Sequence, residues 1–218
     1  MSTVSIENYL KSIYHLQQSG ERVFTTSLAN RLNIAPASVT EMLQKLSLQG
    51  LLVYEKYRGV KLLDKGKVRA LKIIRKHRLW EMFLVKHLDF KWDEIHDEAE
   101  KFEHIMSDKM EAKIDKLLNF PIFDPHGDPI PDKNGYFASR NILPLTSVVD
   151  SKNVKITRLD DSSPKILRWA NINKIGLGNI LYEVQNNKAK SNLTFTHSNK
   201  NILLDYSLAK NIYVQEIF

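Results

Sequence analysis

Apolar residues recur at helical spacing along the N-terminal part of the chain and give way to alternating, β-type spacing towards its C-terminal end. Residues 5–19 place Ile6, Tyr9, Leu10, Ile13 and Leu16 on one face, with Ser5 as candidate N-cap and Gly20 as stop. A short helix at 26–32 follows a Thr25/Thr26 cap, and NIAP reads as a tight turn into a third helix with Pro36 in its first turn. That third helix carries Val39, Met42, Leu43 and Leu46 at helical spacing, and Gly50 suits the C′ position. LLVYEKYRGVKLL then reads as a hairpin around Tyr57-Arg58-Gly59. Helix, helix, turn, helix and hairpin are the order of a winged helix-turn-helix domain.

Two longer helices are predicted over 65–87 and 92–118. The first bears Val68, Leu71, Ile74, Trp80 and Phe83, an apolar side larger than one small domain needs, which points to a helix-mediated dimer. Residues 119–140 are rich in Pro, Gly and Asp and form a connector. Beyond them VKITRL, NILYEV and SNLTFTH alternate between polar turns, as in a small antiparallel barrel or sandwich. The fold class is therefore mainly α with β. Its expected domains are 1–64 for DNA binding, 65–140 for metal binding and dimerisation, and 141–218 for the β-domain.

Composition narrows the choice of chemistry. The 43% apolar and 26% charged fractions fit a globular chain without a bilayer span, and the start MSTVSIENYLK lacks signal-peptide order, so a cytoplasmic protein is expected. The absence of cysteine rules out disulfides and thiolate metal sites, leaving only N and O ligands. The net charge of +7 is unevenly spread. Residues 65–78 hold seven Lys/Arg and no acid, whereas 89–103 hold seven Asp/Glu, so a basic part able to meet nucleic acid abuts an acidic, histidine-bearing one.

Within HDEAEKFEH (96–104), His96, Glu100, Glu103 and His104 fall within roughly 100° of one helical face. Imidazole and carboxylate together suit a divalent first-row metal. In the third helix Pro36, Ala37, Ser38, Thr40, Glu41, Gln44 and Lys45 stand where a recognition helix meets the major groove, and Lys56 and Arg58 in the wing suit phosphate or minor-groove contact. His15 and His87 receive no role. His77 with Glu81 four residues on is, alone, an ordinary intrahelical pair.

These residues resemble the metal-dependent repressors of the DtxR/MntR type, also called iron-dependent repressors. The resemblance rests on ENYLKSIYHL (7–16), PASVTEMLQKL (36–46), YEKYRG (54–59), KHRLWE (76–81), HDEAEKFEHIMSD (96–108) and DPHGDPIP (124–131). It is strong over about residues 1–140, while the C-terminal part agrees in length and β-character with the SH3-like (FeoA-type) barrel of the longer members. The resemblance implies a primary metal site of Asn8, His77, Glu100, Glu103 and His104. Asn8 stands where manganese sensors carry Asp and iron sensors Met. Lys11 stands where short members place a Glu that helps form another ion site. A secondary site is implied at Glu81, Asp124, His126 and Asp161, with His96 as an alternative ligand.

Oxygen donors at Asp124 and Glu100, where relatives place Cys or Met, make Mn²⁺ the expected ion and Fe²⁺ the alternative. The implied function is metal-activated repression of metal-uptake genes by a homodimer on a palindromic double-stranded operator, with no enzyme activity, membrane or small-molecule substrate. Two rivals remain: a metallohydrolase, although HExxH and a nucleophile elbow are absent, and a winged-helix regulator that senses an organic ligand.

Overall fold

The apolar stripes read near the start of the chain, Tyr9–Leu10–Ile13 and Val39–Met42–Leu43–Leu46, are helical and buried. In the computed structural model, which describes residues 3–18, 20, 22–92, 94–149, 151–161 and 163–217, two compact units form. One comprises Met1–Trp80, Asp97–Ile122 and Ile130–Phe137; the other comprises Glu81–His96, Phe123–Pro129 and Ala138–Phe218.

The first unit opens with α1 (Thr3–Gln18), α2 (Thr25–Leu32) and α3 (Pro36–Leu48), followed by β1 (Leu52–Glu55) and β2 (Gly59–Leu62). Tyr9, Leu10 and Ile13 of α1 pack in one core with Val39, Met42, Leu43 and Leu46 of α3. Removing these side chains from water is the main stabilising term, roughly 1.5–3 kcal/mol for each large one fully buried. Two ends differ from expectation. α1 begins at Thr3, ahead of Ser5, and its expected end at residue 19 lies outside the described residues. Phe24, not a threonine, stands at the N-cap of α2, and no side-chain hydrogen bond closes that end.

The β1–β2 wing is antiparallel, with Leu52 opposite Leu62 and Glu55 opposite Gly59. A Cβ on Gly59 would lie 2.9 Å from the Val23 carbonyl, which accepts the Val60 amide at 2.9 Å, so glycine lets the wing lie against the segment before α2. The Gln17 side-chain oxygen also accepts the Leu62 amide at 3.2 Å, tying the wing to the end of α1.

α4 (Asp64–Leu88) is continuous, but the expected helix over 92–118 is two: α5 (Ile95–Phe102) and α6 (Asp108–Leu117). Ser107 is the reason. It takes an extended conformation (φ −70°, ψ 156°), accepts the Met110 amide on its side chain, and has Asp108 and Glu111 in the turn that follows. Cap and acidic first turn together favour a new helix start over continuation. Glu103 and His104 accordingly lie in the turn after α5 and not on its face. Of the α4 stripe, Leu71 and Ile74 belong to the core of this unit, Trp80 and Phe83 are half-buried and Val68 is exposed. Among the exposed large apolar side chains of the unit, Ile105, Met110, Leu117, Phe120 and Ile122 lie close together in sequence, from the turn after α5 to just beyond α6.

The second unit is a six-stranded antiparallel sheet built from β3 (Leu143–Pro144), β4 (Lys152–Leu159), β5 (Ile180–Asn187), β6 (Asn192–His197), β7 (Lys200–Asp205) and β8 (Ile212–Ile217). Its order is β3-β8-β4-β5-β6-β7. Register shifts in β4 against both neighbours and in β5 against β6 curve it, as β-bulges do. Ile166 and Ala170 of α7 (Pro164–Asn173), a helix the β-type reading did not anticipate, join Val154, Ile156, Val184 and Val214 in its core.

The DPHGD turn also belongs to this unit. One Asp124 side-chain oxygen accepts the amides of His126 and Asp128, both at 2.9 Å, so the acid folds its own loop. Gly127 has φ +90°, and a Cβ there would lie 2.1 Å from the Thr157 carbonyl. Gly127→Ala is therefore expected to cost about 2 kcal/mol or more of stability, read by urea unfolding. An unchanged midpoint would show that the turn yields freely.

Candidate metal centres and nucleic-acid interface

The first cluster is assembled in the first unit from α1, α4, α5 and the turn after α5. Glu103 is fully buried. One of its oxygens lies 2.5 Å from His77 Nδ1; the other lies 2.7 Å from Lys11 Nζ and 3.3 Å from His104 Nε2. Lys11 Nζ also lies 2.5 Å from Glu100 Oε1. Donor atoms of His77, Glu100 and Glu103 all sit within 4.8 Å of one another, close enough for one ion. Asn8 Oδ1 is buried with no hydrogen-bond partner. Asn8 precedes Lys11 by three residues on α1, so the two share a helix face.

Two features here go beyond the sequence reading, which placed Lys11 only at a position where short members carry an ion-site Glu. Glu7 accepts from His104 Nδ1 at 2.7 Å and lies 3.8 Å from Arg69, so it orients the histidine ring and fixes which nitrogen remains for a ligand. Lys11 supplies a positive charge among the very carboxylates expected to bind metal. Only the i, i+3 and i, i+4 spacing from Glu7 and Asn8 hinted at either, because the partners lie more than 80 positions away.

The second cluster lies in the second unit. Glu81 is fully buried, with an oxygen 3.7 Å from His96 Nδ1, while His96 itself is half exposed. His126 is fully buried and neither ring nitrogen has a hydrogen-bond partner. A buried polar nitrogen left this way costs about 1–3 kcal/mol, which a hydrogen-bond partner or a bound ion would offset. Burial pushes the Asp161 carboxyl above its ordinary range, the charges of Asp128 and Glu81 push it further, and His126 and His96 pull it back. Those five groups therefore share one electrostatic neighbourhood, to which the DPHGD turn adds buried Asp124. Asp128, absent from the expected ligands, pairs with Arg158 Nε at 2.9 Å.

The α3 surface keeps Pro36, Ala37, Ser38, Glu41, Gln44 and Lys45 exposed. Thr40 is half-buried, and its hydroxyl donates to the Pro36 carbonyl at 3.0 Å. Lys45 pairs with Glu41 along the helix. In the wing, Lys56 sits 5.2 Å from the Tyr57 ring centroid and Arg58 lies 3.3 Å from Glu55, both exposed. Small residues at the start of α3 and cations at the wing tip form a surface able to approach a groove and its phosphates.

The pattern of the iron dependent repressor N-terminal DNA binding domain matches residues 1–60, and that of the iron dependent repressor metal binding and dimerisation domain matches residues 63–132. The chain belongs to the iron-dependent repressor family. Its members are metal-dependent transcriptional repressors and not enzymes, which removes the metallohydrolase reading.

The iron-dependent repressor IdeR of Mycobacterium leprae is 35% identical over 158 residues, covering 72% of this chain and 67% of that protein. The diphtheria toxin repressor of Corynebacterium diphtheriae is 28% identical over 229 residues, covering 97% and 96%. Among solved structures, a manganese-dependent transcriptional repressor in complex with manganese is 35% identical, with a TM-score of 0.89 and coverage of 97% and 99%. The manganese regulator SloR is 30% identical, with a TM-score of 0.79 and coverage of 97% and 98%. The six-stranded C-terminal sheet fits the SH3-like domain expected of a long-form iron-dependent repressor.

His15, to which the sequence assigns no role, stands out electrostatically. Burial, reinforced by Arg31, Arg78, Lys11 and His77, lowers its pKa to about 3. The unfolded chain takes up this proton below about pH 6.5, while the folded chain resists until about 3, so stability falls across that window as pH drops. His15→Leu is expected to lose less stability between pH 7 and 4.5 than the parent, as followed by denaturant titration. Parallel losses would remove His15 as a source of acid sensitivity.

Proposed function

We propose that this chain is a manganese-responsive repressor whose ion acts as co-repressor at operators of metal-uptake genes. The placement of His77, Glu100 and Glu103 within reach of one ion, joined to α1 through Lys11 and Glu7, carries this reading. His77, Glu100, Glu103, His104 and Asn8 would hold the primary ion, and the nitrogen and oxygen donor set with a spare Asn8 oxygen fits a divalent first-row metal. Glu81, Asp124, His126 and Asp161 would hold a secondary one, with His96 at its exposed edge; the unpartnered His126 ring supports that set. A bound ion supplies two positive charges and fixed coordination directions. The protein side chains do the rest. Glu100 and Glu103 would share the ion with Asn8 of α1, and because α1 shares a core with α3, occupancy of the site would bear on where α3 sits.

Raising operator affinity tenfold requires only about 1.4 kcal/mol of preference for the competent arrangement. The domains proposed are 1–64 for DNA, 65–140 for metal and dimerisation, and 141–218 for the SH3-like part. Pro36, Ala37, Ser38, Thr40, Glu41, Gln44, Lys45, Lys56 and Arg58 form the DNA surface. The exposed apolar side chains from Ile105 to Ile122 in the first unit are the face offered to a second copy, and a two-fold dimer would read a palindrome. Among the described residues no helix is long and apolar enough to cross a membrane, and action on DNA in the cytoplasm is part of this reading. Fe²⁺ is the second reading, supported by the iron-dependent name of the Mycobacterium leprae relative. The oxygen-rich donors favour manganese.

Selection of host genomic fragments with Mn²⁺, with Fe²⁺ under anaerobic conditions, and with chelator tests this. A palindrome enriched only with metal is expected, most strongly with Mn²⁺; equal enrichment with chelator would sink metal activation. Glu103→Ala and His104→Ala should each abolish the metal response. Asn8→Asp, which adds a charged oxygen, is expected to tighten Mn²⁺ binding, and unchanged affinity would strike Asn8 from the ligands.

A further inference from the structure

The side chain of Lys11 is 11% exposed, and its ammonium lies 2.7 Å from Glu103 and 2.5 Å from Glu100. One nitrogen thus bridges the two carboxylates, at distances only slightly longer than the roughly 2.0–2.2 Å between a first-row ion such as zinc and a carboxylate oxygen. We propose that Lys11 is an internal counter-cation that a divalent ion must displace, and that it thereby sets the ion concentration at which the repressor responds. The inference rests on the reading of His77, Glu100 and Glu103 as ion ligands.

Charge accounting supports displacement over coexistence. Glu100 and Glu103 bring two negative charges, Asn8 brings none, and Glu7 is engaged by His104 and Arg69. A divalent ion balances the pair completely, so an ammonium retained beside it would face like charge at short range in a poorly solvated place. Without the ion, Glu103 is fully buried and needs a cation, which Lys11 provides. Lysine suits both roles. Its ammonium is a strongly hydrated point charge on a flexible stem, able to withdraw to water once replaced. Because the stem starts from α1, the helix is tethered to the carboxylates even in the metal-free protein. Ion entry exchanges one cross-link for another and does not create the first.

The test is Mn²⁺ binding followed by the EPR signal of the free ion. The His126→Ala background silences the second cluster, and the parent is compared with Lys11→Met and Lys11→Arg. Lys11→Met should bind Mn²⁺ at least tenfold more tightly, about 1.4 kcal/mol. Its metal-free melting temperature should fall, because Glu103 loses its cation, and Mn²⁺ should raise it more than it raises the parent's. Lys11→Arg should bind several-fold more weakly, since a planar guanidinium grips two carboxylates more firmly and is harder to displace. The arginine variant keeps the test decisive if Lys11→Met does not fold without metal. Equal affinities in all three proteins, or weaker binding by Lys11→Met, would overturn the inference and leave the metal-site reading standing. Binding by none of them would overturn both.

Discussion

The candidate metal centre of the first unit is organised around one fully buried acid, Glu103. An ionised carboxylate with no solvent contact is tolerated only when paired and hydrogen-bonded, and Glu103 meets that condition with groups from three separate stretches of chain. His77 arrives from α4, Lys11 from α1 and His104 from the turn after α5. Each must be held by its own element, so a single acid couples the placement of α1, α4 and α5. Apolar packing alone would allow these helices to slide against one another by small amounts. Directional bonds to one carboxylate do not.

The break at Ser107 follows from the same requirement. Continued as one helix, 95–117 would set His104 by helical geometry alone. Capping at Ser107 frees the intervening turn, so that His104 can face Glu7 with one nitrogen and Glu103 with the other. The fully buried Met106 and the Lys76 bond to its carbonyl at 2.5 Å anchor that turn. The secondary cluster shows a different economy. There the loop builds itself through Asp124, and Gly127 admits the backbone close to Thr157, leaving the His126 ring in a dry position.

Local patterns carried much of this and failed where long-range partners decide. The α3 stripe Val39–Met42–Leu43–Leu46 and the Tyr57–Gly59 wing were readable because helical period and turn chemistry are written within a few residues. The start of α6 was also locally encoded, in Ser107-Asp108, yet the apolar residues on either side keep helical period and mask it. α7 was missed because its apolar positions Ile166, Leu167 and Ala170 sit among strand-like runs, where a short segment is ambiguous. At the candidate sites, motif resemblance named His77, Glu103 and His126. Glu7, Lys11 and Asp128 act through partners far away in sequence, and no spacing rule can name those.

α1 has one further property. Towards its start Glu7 and Lys11 hold the carboxylate cluster, and at its end Gln17 holds the Leu62 amide of the wing. The ten helical steps from Glu7 to Gln17 span about 15 Å. A rod pinned at both ends acts as a lever, and a tilt of a few degrees at the cluster becomes a shift of about 1 Å at the wing. On that scale a hydrogen bond to a phosphate is either made or lost. The same helix that buries Leu10 and Ile13 is thus also the linkage along which a change of cation can be felt at the surface offered to DNA.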